Sequence, residues 1–168
     1  MNSENEPTIT VTMSEKCVWD CPNAKAAFYE AKRDTQTAIN DRINWCMAEI
    51  ERLRSLEILD WWNLEQYAAE MQYLQTTVSD YMLSFFSDLE AFIDMKLDTK
   101  PNKLMAIQWT GDKFVQKLFY NIFKKLNLDY SLDTRNIMFI RPKFRKVRVF
   151  DKKTNLFADM MKDGGTDG

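Results

Sequence analysis

Asn63-Leu-Glu-Gln-Tyr-Ala-Ala-Glu-Met-Gln-Tyr-Leu-Gln-Thr-Thr-Val-Ser-Asp-Tyr-Met-Leu-Ser-Phe-Phe-Ser-Asp-Leu-Glu-Ala-Phe-Ile-Asp-Met-Lys-Leu97 is the stretch that decides the fold. Its apolar positions are Leu64, Tyr67, Met71, Leu74, Val78, Tyr81 or Met82, Phe85, Leu89 and Phe92 or Ile93. They recur at steps of three and four, the period that returns a side chain to one face of an α-helix. Asn63 is placed to cap this helix, and Gln66 completes a capping-box spacing.

Upstream, Phe28, Ala31, Ile39, Ile43, Cys46, Ile50 and Leu53 make a second stripe, opposite a face of mixed charge that includes Lys32, Arg33, Asp34, Arg42 and Glu49. Pro22 suits the first turn of that helix, where the N–H it lacks has no partner to lose. The chain turns near Asp60-Trp61-Trp62-Asn63. Two such helices form an antiparallel hairpin of coiled-coil character, roughly 50 Å long at ~1.5 Å per residue, that still needs further packing partners.

Downstream, Asp98-Thr-Lys-Pro-Asn-Lys103 reads as a linker, because Pro101 stops the helix. Thr110 is placed to cap a third helix with apolar residues Phe114, Val115, Leu118, Phe119, Ile122, Phe123 and Leu126. Beyond Asp133 the period becomes strand-like, in Ile137–Ile140 and Lys146–Val149, with Pro142-Lys143 turning between them. Val147 to Phe157 reads as strand, turn at Asp151 to Asn155, and strand. The expected fold is α+β and mainly helical: the αα-hairpin, the third helix and a small antiparallel sheet of two or three strands. The expected segments are a flexible arm at 1–21 with an edge strand in Thr8–Met13, an acidic hairpin at 22–97, a basic helix plus β-hairpin part at 104–160 and a disordered tail at 161–168.

Composition narrows the function. Four glycines and four prolines are too few for a sandwich or barrel with many tight turns. The polar, acidic start Met1-Asn-Ser-Glu-Asn-Glu offers no signal-peptide pattern, and no apolar run approaches the ~20 residues of a membrane span. Three cysteines at unframed spacing suit free thiols in a reducing, cytoplasmic compartment. Histidine is absent, which removes Ser-His and Cys-His catalysis and imidazole metal sites.

Cys17 and Cys21 have the spacing of a zinc half-site, but only Cys46 remains to add, short of the usual four ligands. Glu57 and Asp60 have the spacing of a magnesium-binding pair in a helical enzyme, yet Asp88, Glu90 and Asp94 fall on different sides of their helix. A metal-dependent helical enzyme is therefore only a distant reading. The expectation is a non-enzyme with no metal and no cofactor.

Charge is segregated. Residues 1–100 carry 9 Lys/Arg against 18 Asp/Glu, and residues 101–168 carry 14 against 7. No basic residue lies between Arg54 and Lys96, while eight acidic ones do. That segment holds Trp61 and Trp62, and two adjacent indoles cannot both face one helical stripe. The sequence thus predicts a protein-binding or self-associating hairpin using Trp61, Trp62, Glu65, Glu70, Asp80 and Asp88. Such a chain has the character of a small assembly, inhibitor or accessory protein of the kind viruses and phages encode.

The alternative is nucleic-acid binding by the basic part. Lys113, Lys117 and Lys124 share one stripe of the third helix, followed by Arg141, Lys143, Arg145, Lys146 and Arg148, with Lys152 and Lys153 at the expected hairpin tip. Against it stands a neutralising role, in which the basic part docks on the acidic hairpin.

Overall fold

The computed structural model describes residues 9–56, 61–97, 99–100 and 102–154, and the side chains of all of these except 9–12 and 151–154. In chain order the elements are β1 (Ile9–Trp19), α1 (Ala24–Arg54), α2 (Trp61–Tyr73), α3 (Ser79–Ile93), β2 (Met105–Gln108), α4 (Lys113–Lys125), β3 (Leu128–Leu132), β4 (Ile137–Pro142) and β5 (Phe144–Thr154). A single π-helical turn, Leu74–Val78, joins α2 to α3. α2, the π turn and α3 run on as one helix, so the described residues hold three helices, and the fold is α+β and mainly helical.

The π turn has a local cause. The Ser79 N–H and hydroxyl both donate to the Leu74 carbonyl, and the Thr76 hydroxyl donates to the Gln72 carbonyl. Serine and threonine hydroxyls thus satisfy carbonyls in the turn. Leu74 and Val78 both stay buried across it.

The chain divides into two compact units, Trp19–Phe144 and a smaller one made of Met1–Val18 with Arg145–Gly168. In the larger unit, β4 is the middle strand of an antiparallel sheet ordered β2-β4-β3, with Met105 opposite Ile140 and Leu128 opposite Pro142. Met138, Ile140 and Pro142 are buried and Arg141 is exposed, the alternation of a sheet covered on one face. The apolar face of α4, with Val115, Leu118, Phe119, Ile122 and Phe123 all buried, shares one core with α3 and this sheet.

Trp19 latches the chain to α4. Its indole N–H donates to the carbonyls of Leu126 and Asn127, at 2.9 and 3.2 Å. These lie at the C-terminal end of α4, where helical carbonyls have no intrahelical donor. Asn127 takes the left-handed conformation there (φ 48°), and its side-chain amide donates to the Asp20 carbonyl.

Several local expectations are corrected. Asp112, not Thr110, caps α4: its carboxylate accepts from the Phe114 and Val115 N–H groups, while the Thr110 hydroxyl accepts from the Asp112 N–H. A carboxylate is the better partner for the positive end of the helix dipole. Asn63 lies inside α2 and does not cap it. Asn23 holds the cap position of α1, and Pro22 precedes it.

The C-terminal hairpin with a turn at Asp151 to Asn155 does not form. β5 continues through Thr154 and pairs with β1 in a two-stranded sheet. β1 offers eleven residues of partner edge. Pro142 ends β4 and Lys143 separates it from β5, so the two strands join different sheets. Phe157 and the 161–168 tail lie outside the described residues.

The actual hairpin, β3 to β4, turns on Asp133 and Asn136. The Asp133 carboxylate accepts from the Arg135 and Ile137 N–H groups, which holds its pKa below the ordinary carboxyl value. Asn136 adopts φ 62°. Asn136→Gly is expected to lose about 1 kcal/mol, for the amide bond that Asn136 donates to the Trp109 carbonyl, and Asn136→Val about 1–2 kcal/mol more in chemical denaturation, because a β-branched residue is disfavoured at that φ. Phe119→Ala, at a fully buried site, is expected to cost about 3–5 kcal/mol by the same measurement.

Candidate protein-binding surface

The helical hairpin changes character along its length. α3 buries Met82, Phe85, Phe86, Leu89, Phe92 and Ile93, whereas α2 has no buried residue among those described. Leu64, Tyr67 and Met71 continue the inward stripe but are only half-buried. The distal part therefore holds only what α1 can cover, and one helix covers only part of another helix's apolar face.

At its end the two adjacent indoles are open to solvent, with Trp61 66% and Trp62 67% exposed. Successive helical residues point ~100° apart, so the two indoles cannot both share the stripe of Leu64 and Tyr67, and neither is buried. Glu65 follows Trp61 by four residues and is exposed beside it. Leu56 and Met47, also exposed, add apolar area to this end of the hairpin.

A polar and aromatic cluster fastens the same region. Arg42 pairs with Glu70 at 2.6 Å, and its guanidinium lies 4.2 Å from the centre of the Trp45 ring. Trp45 in turn meets Tyr67 edge to face at 5.3 Å. Beneath them Cys46 is wholly buried, and burial, followed by the nearby Glu70 carboxylate, pushes its thiol up to about 11. The thiol is thus protonated and inert at neutral pH.

Of the six residues expected to bind a partner, three come together: Trp61, Trp62 and Glu65. Glu70 does not join them, because it is spent on Arg42. Asp80 and Asp88 are exposed, but on α3, where the rise of the helix puts them about 28 Å or more from Trp61. The cluster of Arg42, Trp45 and Tyr67 escaped sequence reading because Trp45 falls off the stripe. Its only signal was an arginine three residues before a tryptophan, on one helical face.

The acidic field is also trimmed by α1. Lys25 reaches Asp94 at 2.7 Å and Glu90 at 3.3 Å, and the Tyr29 hydroxyl donates to Glu90. Lys125 of α4 bridges Glu30 and Asp34 at 2.8 Å each, so one lysine of the basic part does dock on the hairpin.

The remaining basic residues belong to several elements. Lys113, Lys117 and Lys124 are exposed along α4. Arg141 is exposed directly across from Asp129, an opposite charge on the neighbouring strand, and Lys143 is exposed after β4. Arg145, Lys146 and Arg148 are exposed on β5 in the smaller unit. The side chains of Lys152 and Lys153 lie outside the described ones, and with β5 running through Thr154 these residues are not at a hairpin tip.

Among the described residues, no group of three or more His, Cys, Asp or Glu side chains gathers as a metal site. The pair Glu57 and Asp60 lies outside them. Cys17 is exposed, Cys21 half-buried and Cys46 buried, all three free. No helix of the described residues is long and apolar enough to cross a membrane. The chain matches no family model, no curated protein and no solved structure.

The thiols provide a check on this surface. A thiol reagent at neutral pH is expected to label Cys17 rapidly and Cys46 only after denaturation, read by mass spectrometry. Labelling of Cys46 in the native protein at the rate of Cys17 would mean that the two helices separate at this end.

Proposed function

We propose that the chain is a non-enzymatic protein-binding factor, an assembly component or inhibitor, that grips its partner with the distal end of the helical hairpin. The observation that carries this reading is the pair of neighbouring indoles, each two-thirds exposed, in a segment without a basic residue. Exposed tryptophan adds nothing to the core, whereas buried at an interface it is among the commonest binding anchors. The fixed cluster behind it, Arg42 with Glu70, Trp45 and Tyr67, limits the freedom lost on docking.

The partner that fits is a protein with an apolar pocket rimmed by Lys or Arg, facing Glu65 and the acidic helix. Free cysteines at all three positions favour a reducing, intracellular setting.

Affinity capture from the native host with the full chain as bait, repeated with nuclease, tests the reading. A nuclease-resistant protein partner is expected. Trp61→Ala or Trp62→Ala is expected to weaken its binding by about 2 kcal/mol or more, while leaving the melting temperature within a few degrees. Normal binding by both variants would remove the hairpin end as the functional surface. Loss of stability comparable to Phe119→Ala would make the indoles structural instead.

A further inference from the structure

The β1–β5 ribbon holds an arrangement that folding does not explain. Strand alternation puts Lys146, Arg148 and Phe150 of β5 on one face and Val147 and Val149 on the other. The two valines are half-buried, as β-branched residues on the sheltered side of a sheet should be. Phe150 belongs with them by hydrophobicity, yet it stands 64% exposed in line with two exposed cations.

We infer that this row is a binding site for single-stranded nucleic acid, independent of the hairpin's proposed role. The charge is complementary: the row holds Lys146 and Arg148, and β5 carries no carboxylate between Phe144 and Phe150, within a chain of net charge -2. Row members stand about 7 Å apart, so phosphates of an extended strand can meet Lys146 and Arg148 while a base lies on the Phe150 ring. The planar guanidinium of Arg148 can hold a phosphate through two parallel hydrogen bonds. Lys146 makes a long, solvent-exposed contact with Glu15, at 4.0 Å, which a phosphate can displace.

The phenylalanine selects single strands over duplex. A stacking platform is of use only where bases are unpaired and free to turn outward, and aromatic rings among cations are the recurring equipment of single-strand binders. A duplex would engage the cations and leave the ring idle. An acidic protein segment would do likewise.

The experiment uses the full chain with fluorescent uridine and thymidine oligonucleotides, a duplex of equal length and a polyglutamate peptide, over a salt series. Single strands are expected to bind at least tenfold more tightly than duplex or polyglutamate. Lys146→Ala and Arg148→Ala should each lower the salt slope by about 0.7. Phe150→Ala should weaken single-strand binding roughly tenfold without changing that slope, and Phe150→Tyr, which keeps the ring, should restore it. Circular dichroism on each variant reports folding. Absence of salt-dependent binding to single strands overturns the inference. So does equal binding of duplex or polyglutamate, or a Phe150→Ala variant that binds as the parent does. Loss of binding from Lys113→Ala with Lys117→Ala, and not from the ribbon variants, would place the site on α4 and also overturn it.

Discussion

The ring of Phe119 meets four other aromatic rings, at 4.7 Å from Phe85, 5.6 Å from Trp109, 5.8 Å from Tyr81 and 6.0 Å from Phe123. These rings come from α3, from the residue after β2 and from α4 itself. The contacts with Phe85 and Tyr81 are edge to face, the geometry that an aromatic quadrupole favours. A close-packed interior passes displacement on to its neighbours. The position of α4 therefore fixes where α3 and the sheet can lie, and α3 in turn sets where the hairpin leaves the core. Tyr81 ties this together by donating its hydroxyl to the Gln108 carbonyl at the end of β2.

Helices were legible in the sequence because their signal is local and repeated. The stripe from Leu64 to Ile93 and the face from Phe114 to Leu126 each recur over several turns, so one misplaced residue changes little. Helix ends and strands were less legible for opposite physical reasons. Thr110 and Asp112 are both good capping residues two positions apart, and only the backbone geometry selects Asp112. β2 is four residues long, and β3 reads Leu-Asp-Tyr-Ser-Leu with only its first residue buried, too weak a pattern to stand out. The partner of β5 lies more than a hundred residues away in β1, and a sequence window sees only the nearby turn residues Asp151 to Asn155. Of the candidate surface, adjacency placed at least one of the two indoles off the stripe, and the fold leaves both exposed. The loss of Glu70 to Arg42 did not, because ion pairing between helices depends on a register that periodicity leaves open.

The same dependence on register governs the electrostatics. Read along the chain, the acidic segment from Arg54 to Lys96 looks unrelieved. Folded, its carboxylates at Glu70, Glu90 and Asp94 meet Arg42 and Lys25 from α1. These are largely exposed contacts whose net contribution to stability is small, but they decide which charges are left to act at a distance. Glu65, Asp80 and Asp88 take part in none of the ion pairs among the described residues, and the field that remains lies on the exposed sides of α2 and α3.

Exposed aromatics occur in both units, and their settings differ in a way that separates two kinds of recognition. Trp61 and Trp62 stand beside a carboxylate on a helix, where a large amphipathic ring can fill a pocket and Glu65 can meet a basic rim. Phe150 stands beside an ammonium and a guanidinium on a strand, where a flat ring in a regular row is matched by flat, regularly spaced groups bearing negative charge. An aromatic ring binds many things through its apolar area, so the charge next to it sets the sign of the ligand it can take. The sign of that neighbouring charge is opposite in the two places. Under the two proposals, a ligand suited to one surface is repelled by the other, and the segregation of charge along this chain would give each aromatic surface its own class of partner.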